Sequence, residues 1–401
     1  MSYSISGMTP QSSAWTDLLP DLLLDISGRL HNVTDYVCFH AVCKPWRAIA
    51  GLRSPTTRPT FPPWLLGLCN ENHIIHCRAN FPCVSAFKAS RDRDFIVEEP
   101  RGTSSAGAKG ANWVARADGM AACIFAASPD PRLIDLLTGA VTPLPRFPDD
   151  DAEMKRSMEN VHGVIYDDGT IFLYNPLYTC THVFTIAVLR PGDATWTVMK
   201  TNLEAPNHHS LCVAYHNCQV LWHISMRPWF LLTQDGIRGS VRCDPVDKIG
   251  YIPVDSYILE SHGKLLCATI LVHVHWFHDI ASSMPEMLVI VQTLEEEAGD
   301  EMRWVTDESQ SFDDCVLFLG YPTSCAMDAT QMDMLGGCAY FVFQHNLLSY
   351  SFINNEIKTV EYNIVRPTDY GARVWLQPQP PIAPIHDIQE RLWRLGLNKE
   401  K

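Results

Sequence analysis

Short apolar segments interrupted by turn-forming residues recur along most of this 401-residue chain. Asp168-Gly169 divides VIYDDGTIFLY (164–174), and His262-Gly263 divides SYILESHGKLLCATIL (256–271). Glycine tolerates the positive φ of tight hairpin turns, and apolar runs of this length suit strands, so both segments predict antiparallel β-hairpins. Four more hairpins are predicted in the same way, in WLLGLCNENHIIHC (64–77), LIDLLTGAVTPL (133–144), LCVAYHNCQVLWHI (211–224) and LLSYSFINNEIKTVEY (347–362).

The hairpins form a degenerate repeat. Several intervals between them approach about 45 residues or twice that, with turn centres near residues 71, 139, 169, 218, 262 and 355. Repeats of about 40 to 50 residues that hold several strands are typical of β-propellers, whose blades leave only short, protected edges. We therefore predict a large all-β domain with the architecture of a β-propeller of about six blades. A β-sandwich is the alternative, but the predicted strands are many for one sandwich.

The N-terminal segment, residues 13–52, carries a helical pattern instead. Pro20 suits the first turn of a helix in which large apolar residues follow at spacings near 3.6. Thr34 can cap a short second helix, and Pro45 can begin a third that ends at Gly51. The predicted fold class of the whole chain is therefore α+β, with a small three-helix domain ahead of the large all-β domain.

This helical segment is too small to bury its own apolar side chains. Domains below about 40 residues usually need disulfides, a metal or a partner to stay folded. Two arrangements would satisfy this need: the helices pack on the β domain as a cap, or they bind a separate protein.

The boundaries of the two domains follow from composition. The segment RSPTTRPTFPP, residues 53–63, is rich in proline and threonine, which disfavours helix and suits an extended linker. The β domain is then predicted over residues 64–380. Near the end of the chain, HDIQERLWRLGLN has apolar residues at helical spacing, and a C-terminal helix is predicted over residues 384–398.

The N-terminal segment also resembles a known family. WTDLLPDLLLDISGRL (15–30), followed by DYVCFHAVCKPWRAIA (35–50), is similar to an F-box in the version found in plants. F-boxes dock on the Skp-family adaptor of cullin ubiquitin ligases, so the resemblance implies this adaptor as a partner and, through it, a cullin. It further implies an adaptor-binding interface made by Leu18, Pro20, Leu23, Ile26, Val42, Cys43 and Trp46.

The β domain carries a second resemblance, distributed over most of residues 64–364. The phrases RLIDLLTGAVTPLP, VLRPGDATWTVM, YILESHGKLLCATIL, CVLFLGYPTSCAMDA and GCAYFVF occur in this order. They resemble the C-terminal domain of unknown function that accompanies many plant F-boxes and is similar to kelch-type propellers. The resemblance implies a domain that receives a target protein for ubiquitination, without assigning any substrate-binding residue.

The charge of the chain argues against nucleic acid as a partner. The formal net charge is −14, so the attraction to phosphate that nonspecific binding depends on is missing. No basic stretch followed by an apolar run opens the sequence, and LLCATILV (265–272) is far shorter than the roughly 20 residues that span a bilayer. We therefore expect no membrane contact and a cytoplasmic or nuclear location.

Two segments resemble catalytic or cofactor sites. HVHWFH (273–278) places His273 and His275 on one face of a predicted strand, and alternating histidines can ligate zinc or iron, but the sequence places no carboxylate or cysteine partner beside them. GTSSAGAKGAN (102–112) lacks the Gly-Lys-Ser/Thr ending of a phosphate-binding loop. We therefore expect no catalytic residue, no metal and no cofactor.

Two classes of function are consistent with these patterns. The first is a non-catalytic substrate receptor of a Skp-cullin-F-box ubiquitin ligase, in which the β domain holds the target protein. The second is an enzyme or small-ligand binder on a propeller scaffold, in which the N-terminal helices only pack on the β domain.

Overall fold

The computed structural model describes the helical segment and most strands of the β domain. The described residues are 18–30, 36, 39–40, 42–49, 63–69, 74–78, 95–98, 113–116, 122–126, 130–135, 141–148, 158, 161–175, 183–202, 211–217, 219–224, 229–233, 236–244, 248–277, 285–297, 301–306, 311–332, 334–344, 346–361 and 373–376. The predicted C-terminal helix lies outside these residues, as does the predicted linker except for its last residue.

Two short α-helices are described in the N-terminal segment, α1 (Pro20–Gly28) and α2 (Lys44–Ala48). Proline at the start of α1 costs no hydrogen bond, because an N–H in the first turn has no acceptor within the helix. Between the two helices, Tyr36, Phe39 and His40 have helical backbone, whereas the rest of the second predicted helix lies outside the described residues. The described part of the chain therefore contains two helices where three were predicted.

The described strands form four hydrogen-bonded sheets of four, eight, eight and five strands. Each eight-stranded sheet divides in chain order into two groups of four strands, and the resulting six groups are called blades 1 to 6 below. Blade 1 holds β1 (Trp64–Cys69), β2 (Ile74–Arg78), β3 (Phe95–Glu98) and the last described strand, β25 (Arg373–Leu376). Blade 2 holds β4 (Trp113–Arg116), β5 (Ala122–Ala126), β6 (Arg132–Asp135) and β7 (Val141–Pro143). Blade 3 holds β8 (His162–Ile165), β9 (Ile171–Tyr174), β10 (Val183–Leu189) and β11 (Thr197–Asn202).

The second half of the β domain continues the pattern. Blade 4 holds β12 (Leu211–His216), β13 (Gln219–Ile224), β14 (Trp229–Thr233) and β15 (Gly236–Cys243). Blade 5 holds β16 (Tyr251–Ser261), β17 (Lys264–His273), β18 (Met287–Glu297) and β19 (Glu301–Val305). Blade 6 holds β20 (Cys315–Phe318), β21 (Cys325–Asp328), β22 (Cys338–Phe343), β23 (Asn346–Ser351) and β24 (Glu356–Glu361). Blades 2 and 3 form one sheet through the parallel pair β4–β8, and blades 4 and 5 form another through the parallel pair β15–β19. The described strands therefore form four hydrogen-bonded sheets, where about six separate blades were predicted.

All six predicted hairpins are present as antiparallel strand pairs. Where the turns are described, their geometry explains the sequence. Gly169 has φ +85°, and the Asp168 carboxylate accepts a hydrogen bond from the Thr170 backbone N–H at 2.8 Å. His262 and Gly263 both have positive φ, the conformation of a type I′ hairpin turn. Local turn chemistry therefore defines where these two hairpins bend.

The last described strand closes the domain onto the first. β25 pairs antiparallel with β1, and Trp375 lies opposite Leu65. Trp375 is 1% exposed, its ring lies 5.2 Å from the ring of Phe318, and its indole Nε1–H donates to the Leu319 carbonyl at 2.9 Å. Blade 1 is thus completed by a strand from the other end of the domain and is joined to blade 6.

Other aromatic residues join neighbouring blades through hydrogen bonds that their side chains donate to backbone carbonyls. The Trp196 indole of blade 3 donates to the Pro145 carbonyl after blade 2 at 2.8 Å. The Tyr321 hydroxyl of blade 6 donates to the Ser256 carbonyl of blade 5 at 2.7 Å. Buried Trp and Tyr need a partner for their polar atom, and these partners lie on the next blade. Such bonds position the blades more specifically than apolar contact alone.

The hydrophobic core lies in layers between successive blades. Phe172, Phe184 and Trp222 pack between blades 3 and 4, while Leu317 and Phe341 of blade 6 pack against blade 5. Strands covered on both faces read as continuous apolar runs, as IFLY in β9 and CVLF in β20 do, because neither face meets water. The core is therefore built in the stacked manner expected of propeller blades.

Candidate functional site

The helical segment has a buried face and an exposed face. Leu23 and Ser27 of α1 are 2% and 1% exposed, whereas Leu19, Leu22 and Ile26 are 65%, 50% and 40% exposed. The last three positions are separated by three and four residues, which places them on one side of a helix. The sequence of α1 therefore directs one apolar stripe inward and leaves a second one at the surface.

A histidine connects the two helices inside this segment. The His40 side chain is fully buried, and its ring nitrogens lie 2.9 Å from the Ser27 hydroxyl and 2.9 Å from the Trp46 carbonyl oxygen. Because a carbonyl can only accept, Nδ1 carries the proton towards Trp46, and Nε2 accepts from Ser27 in the neutral ring. His40 thus fixes α2, through the backbone of Trp46, relative to α1.

The chain just before α2 adds a further exposed apolar residue. Val42 is 63% exposed, and its backbone N–H donates to the Phe39 carbonyl at 3.3 Å. The half-buried Trp46 ring packs on Phe39 with ring centroids 4.5 Å apart. Together, Leu19, Leu22, Ile26 and Val42 are called the exposed helical residues below.

These four residues are unusual for their density. Eight large apolar residues are exposed in the part of the chain that the structure describes, and four of them fall between residues 19 and 42. Single exposed apolar residues are normal on soluble proteins, but a concentration of them marks an interaction surface. The helical segment is therefore the first candidate for binding a partner.

The seven residues predicted to contact the adaptor occupy different environments. Pro20, Ile26 and Val42 are exposed, and Leu18, Cys43 and Trp46 are half-buried. Leu23 instead belongs to the interior, because the buried face of α1 contains it, and its side chain is not available at the surface. Sequence reasoning did not include Leu19 and Leu22, although their helical spacing with Ile26 was a usable signal.

The histidines of HVHWFH are arranged differently from the prediction. β17 ends at His273, and Val274–Phe277 form a 3-10 turn, so His275 does not lie on the strand. The two rings still stack, with centroids 5.0 Å apart, and His278 lies outside the described residues. Among the residues that the structure describes, no group of three His, Cys, Asp or Glu side chains is placed to hold a metal ion.

Several thiols are buried in the β domain. Burial raises the pKa of Cys267 to about 12, and burial together with the nearby Asp314 and Asp328 raises the pKa of Cys315 to about 11. Both groups are therefore protonated at neutral pH. A protonated thiol is a poor nucleophile and metal ligand, so these cysteines act as small core residues.

The sequence profile of the KIB1-4 β-propeller family matches residues 84–371, more than half of the chain. The chain belongs to this family. The match to the KIB1-4 β-propeller covers blades 2 to 6 completely, while β1, β2 and β25 flank it. It begins after the helical segment, so the KIB1-4 assignment concerns the β domain.

Solved structures similar to the KIB1-4 β-propeller chain are distant. A lignostilbene dioxygenase from Pseudomonas brassicacearum is 8% identical over 75% of this chain and 77% of that one, with a TM-score of 0.34. An α-L-arabinanase from Penicillium chrysogenum, complexed with arabinobiose, is 10% identical over 62% and 92%, with a TM-score of 0.31. BamB from Moraxella catarrhalis is 12% identical over 73% and 95%, with a TM-score of 0.24. Likenesses this low carry no conclusion about function.

No curated protein matches the sequence of this chain. None of the helices in the described residues has the length and apolar character needed to cross a membrane.

Proposed function

We propose that the protein is the substrate-recognition subunit of a Skp-cullin-F-box type ubiquitin ligase. In this proposal the helical segment binds the Skp-family adaptor, and the β-propeller holds a target protein for ubiquitination and proteasomal degradation. The protein itself is not an enzyme, and the assembly works in the cytoplasm or nucleus. The observation that carries the proposal is the set of exposed helical residues on a segment whose sequence resembles an F-box.

The physical argument starts from the size of the segment. About 40 residues bury too little surface to be comfortable alone, yet four large apolar side chains of this segment are still turned outward. If the helices only packed on the β domain, those side chains would be expected at the covered face. Their exposure favours a separate protein as the partner, with the apolar residues as anchors of the interface.

The β-propeller would contribute proximity and no chemistry. A receptor that holds a target close to the ubiquitin-charged enzyme raises the effective concentration of the reacting lysine. This task needs a rigid body between two binding surfaces, and interlocked blades with a closing strand supply one. It needs no acid, base or nucleophile in the receptor.

The test is adaptor binding by the full chain and by a surface variant. We expect the wild type to bind a Skp-family adaptor at submicromolar strength in isothermal titration calorimetry. The triple variant Leu22→Glu, Ile26→Glu and Val42→Glu should lose at least about a hundredfold in affinity for the adaptor, because it loses apolar anchors and buries charge in the interface.

A matched control separates this effect from general damage. Ile249 is fully exposed in the turn before β16, so Ile249→Glu makes the same kind of substitution once, on the β domain. This control should bind the adaptor like the wild type. Equal adaptor affinity of the triple variant and the wild type, or no binding by the wild type, would remove the assignment as an adaptor-binding subunit.

A further inference from the structure

One end of blade 6 carries a second concentration of exposed apolar residues. Leu335, just before β22, is 71% exposed, and Ile353, in the turn between β23 and β24, is 73% exposed. At the same end of the blade, the half-buried rings of Phe312 and Phe352 lie 4.9 Å apart and pack on the core between blades 5 and 6. These four residues are called the blade 6 patch.

The backbone beneath the patch is held by hydrogen bonds between three segments. The Gly337 N–H donates to the carbonyls of Phe312 at 2.8 Å and Cys315 at 2.9 Å. The Phe352 N–H in turn donates to the Gly337 carbonyl at 2.8 Å. The segments that carry the patch are therefore fixed to one another before any ligand binds, which lowers the entropy cost of binding.

Two glycines allow this close approach. A Cβ atom on Gly336 would lie 1.8 Å from the Asp313 carbonyl oxygen, so no other residue fits there without moving the backbone. Gly337 has φ +70°, and a Cβ on it would lie 3.2 Å from Ile353 Cγ1 and 3.6 Å from Asp313 Oδ1. The apolar side chain of Ile353 and the carboxylate of Asp313 therefore both lie next to Gly337.

The surroundings of the patch are acidic. Among the residues that the structure describes, four at this end of the blade carry exposed carboxylates: Asp313, Asp314, Asp328 and Glu356. Lys358 is also exposed, and its ammonium lies 3.6 Å from the Glu356 carboxylate, so one cation accompanies these four carboxylates. The patch thus combines an apolar centre with a negative rim.

We propose that the blade 6 patch binds a segment of the target protein in which an apolar side chain is flanked by lysine or arginine. The apolar side chain would cover Leu335 and Ile353, and the cations would face Asp313 and Asp314. This inference rests on the proposed function, because it assigns the bound segment to the ubiquitination target. Apolar burial supplies affinity, and charge complementarity supplies selectivity and a faster association rate.

Two other occupants fit the patch less well. A second copy of the chain would bring the same acidic rim against itself in a two-fold interface, so like charges would meet. An anionic membrane surface would also be repelled by the rim. A basic and apolar segment of another protein is the occupant that satisfies both features of the patch.

The probe is a displayed library of random dodecapeptides, selected on the full wild-type chain. We expect the selected sequences to place Leu, Ile or Phe next to Lys or Arg. Each selected peptide is then measured on the double variant Leu335→Ser, Ile353→Ser. A synthetic peptide of the selected sequence should lose about tenfold or more in affinity on the double variant, by fluorescence anisotropy.

Charge and position are then tested separately. Asp313→Asn with Asp314→Asn should weaken peptide binding several-fold at low salt, with the difference from the wild type largely lost at high salt. Ile249→Ser, an exposed isoleucine on another blade, should bind the peptide like the wild type. If the serine double variant does not fold, the peptide affinity of the Asp313→Asn, Asp314→Asn variant still tests the proposal.

Three results would overturn the inference. These are selected peptides that are not basic and apolar, equal peptide affinity of wild type and both double variants, and a wild-type dimer in sedimentation that the serine variant abolishes. The adaptor titration is independent of all three. If the adaptor does not bind but the peptide does, only the proposed ligase role is wrong. If the adaptor binds but the peptide does not, only the proposal for the blade 6 patch is wrong.

Discussion

Buried polar side chains join segments that are far apart in the sequence. His40 links α1 to α2, and Gln292, which is 1% exposed, donates to the Asp244 carbonyl at 3.0 Å and to the Thr306 hydroxyl at 3.1 Å. Because a buried polar group without a partner costs free energy, each such bond selects one arrangement of its segments. Single substitutions at these positions should therefore loosen one contact and leave the fold intact.

His40→Phe should destabilise the helical segment locally. The ring volume is retained, but the Ser27 hydroxyl and the Trp46 carbonyl lose their partner, which costs about 1 to 3 kcal/mol per buried group left unsatisfied. Amide hydrogen exchange of α1 in the full chain should speed up accordingly, while exchange in β17 stays unchanged. Ser27→Ala, which removes only one of the two bonds, should give a smaller effect. Unaltered exchange of α1 in His40→Phe would contradict the role given to this histidine.

Asp244 gives a pH-dependent prediction at the joint between blades 4 and 5. Its carboxylate accepts bonds from the Arg303 side chain and from the Thr306 N–H, and these hold its pKa below the usual 3.8. A carboxyl whose pKa is lowered by folding stabilises the native state above its ordinary pKa, and this stabilisation is lost as the pH falls through the lower value. Asp244→Asn should therefore lower the melting temperature at neutral pH.

The measurement is a series of thermal unfolding curves from neutral to acidic pH. The difference in melting temperature between wild type and Asp244→Asn should shrink as the pH falls below about 3.8. Asp313→Asn, at an exposed aspartate before β20, serves as the control and should change the melting temperature little at neutral pH. A difference for Asp244→Asn that stays constant over the whole range would show that its bonds do not depend on the charge.

At the scale of elements, the six hairpins were predictable and the closing strand was not. A hairpin such as β16–β17 is specified by neighbours in sequence, because His262 and Gly263 supply the turn and the apolar runs supply the strands. β25 pairs with β1 from the other end of the domain, and no local signal encodes that partner. Its Trp375 is recognisable as a core residue only once Phe318 and Leu319 are beside it.

The helices show the same limit for the candidate site. Helical spacing predicted α1 and its apolar residues, but the helix carries two apolar stripes. Leu23 and Leu22 are adjacent in sequence, yet one is buried and the other is half exposed to water. Which stripe faces inward depends on the position of His40, which contacts Ser27 of α1 and the Tyr36 ring, and helical periodicity contains no information about that choice.

Trp375 should carry much of the stability of the closure. Trp375→Ala is expected to cost about 3 to 5 kcal/mol in the free energy of unfolding, because a fully buried ring is removed from between blades 1 and 6. Trp375→Phe keeps most of the ring contact but leaves the Leu319 carbonyl without its donor, so we expect about 1 to 3 kcal/mol. Urea unfolding followed by circular dichroism measures both. Equal stability of the alanine variant and the wild type would exclude β25 as a stabilising closure.

At the scale of the whole molecule, two exposed apolar surfaces lie on structurally different parts of one chain. The exposed helical residues belong to a small segment of two described helices, whereas the blade 6 patch belongs to a blade locked by strand pairing and by Trp375. The free energy of local opening should be smaller for the helical segment than for the blades, because small units bury a smaller fraction of their surface. A partner of the helices should therefore stabilise them much more than it stabilises the propeller.

Hydrogen exchange in the presence of the Skp-family adaptor tests this separation. With free adaptor at about one hundred times its Kd, opening of the bound helices should be disfavoured by about 2.7 kcal/mol, which slows exchange of the α1 amides up to about a hundredfold. The Leu23 N–H, bonded to the Leu19 carbonyl at 3.1 Å, is a suitable reporter. The amides of β17, which is paired on both sides, should not change. The Leu22→Glu, Ile26→Glu, Val42→Glu variant should show slowing of only about twofold or less at the same adaptor concentration, because its Kd is expected to be at least about a hundred times higher. Slowing that appears in the blades and not in α1 would place the adaptor on the propeller and assign the exposed helical residues to another partner.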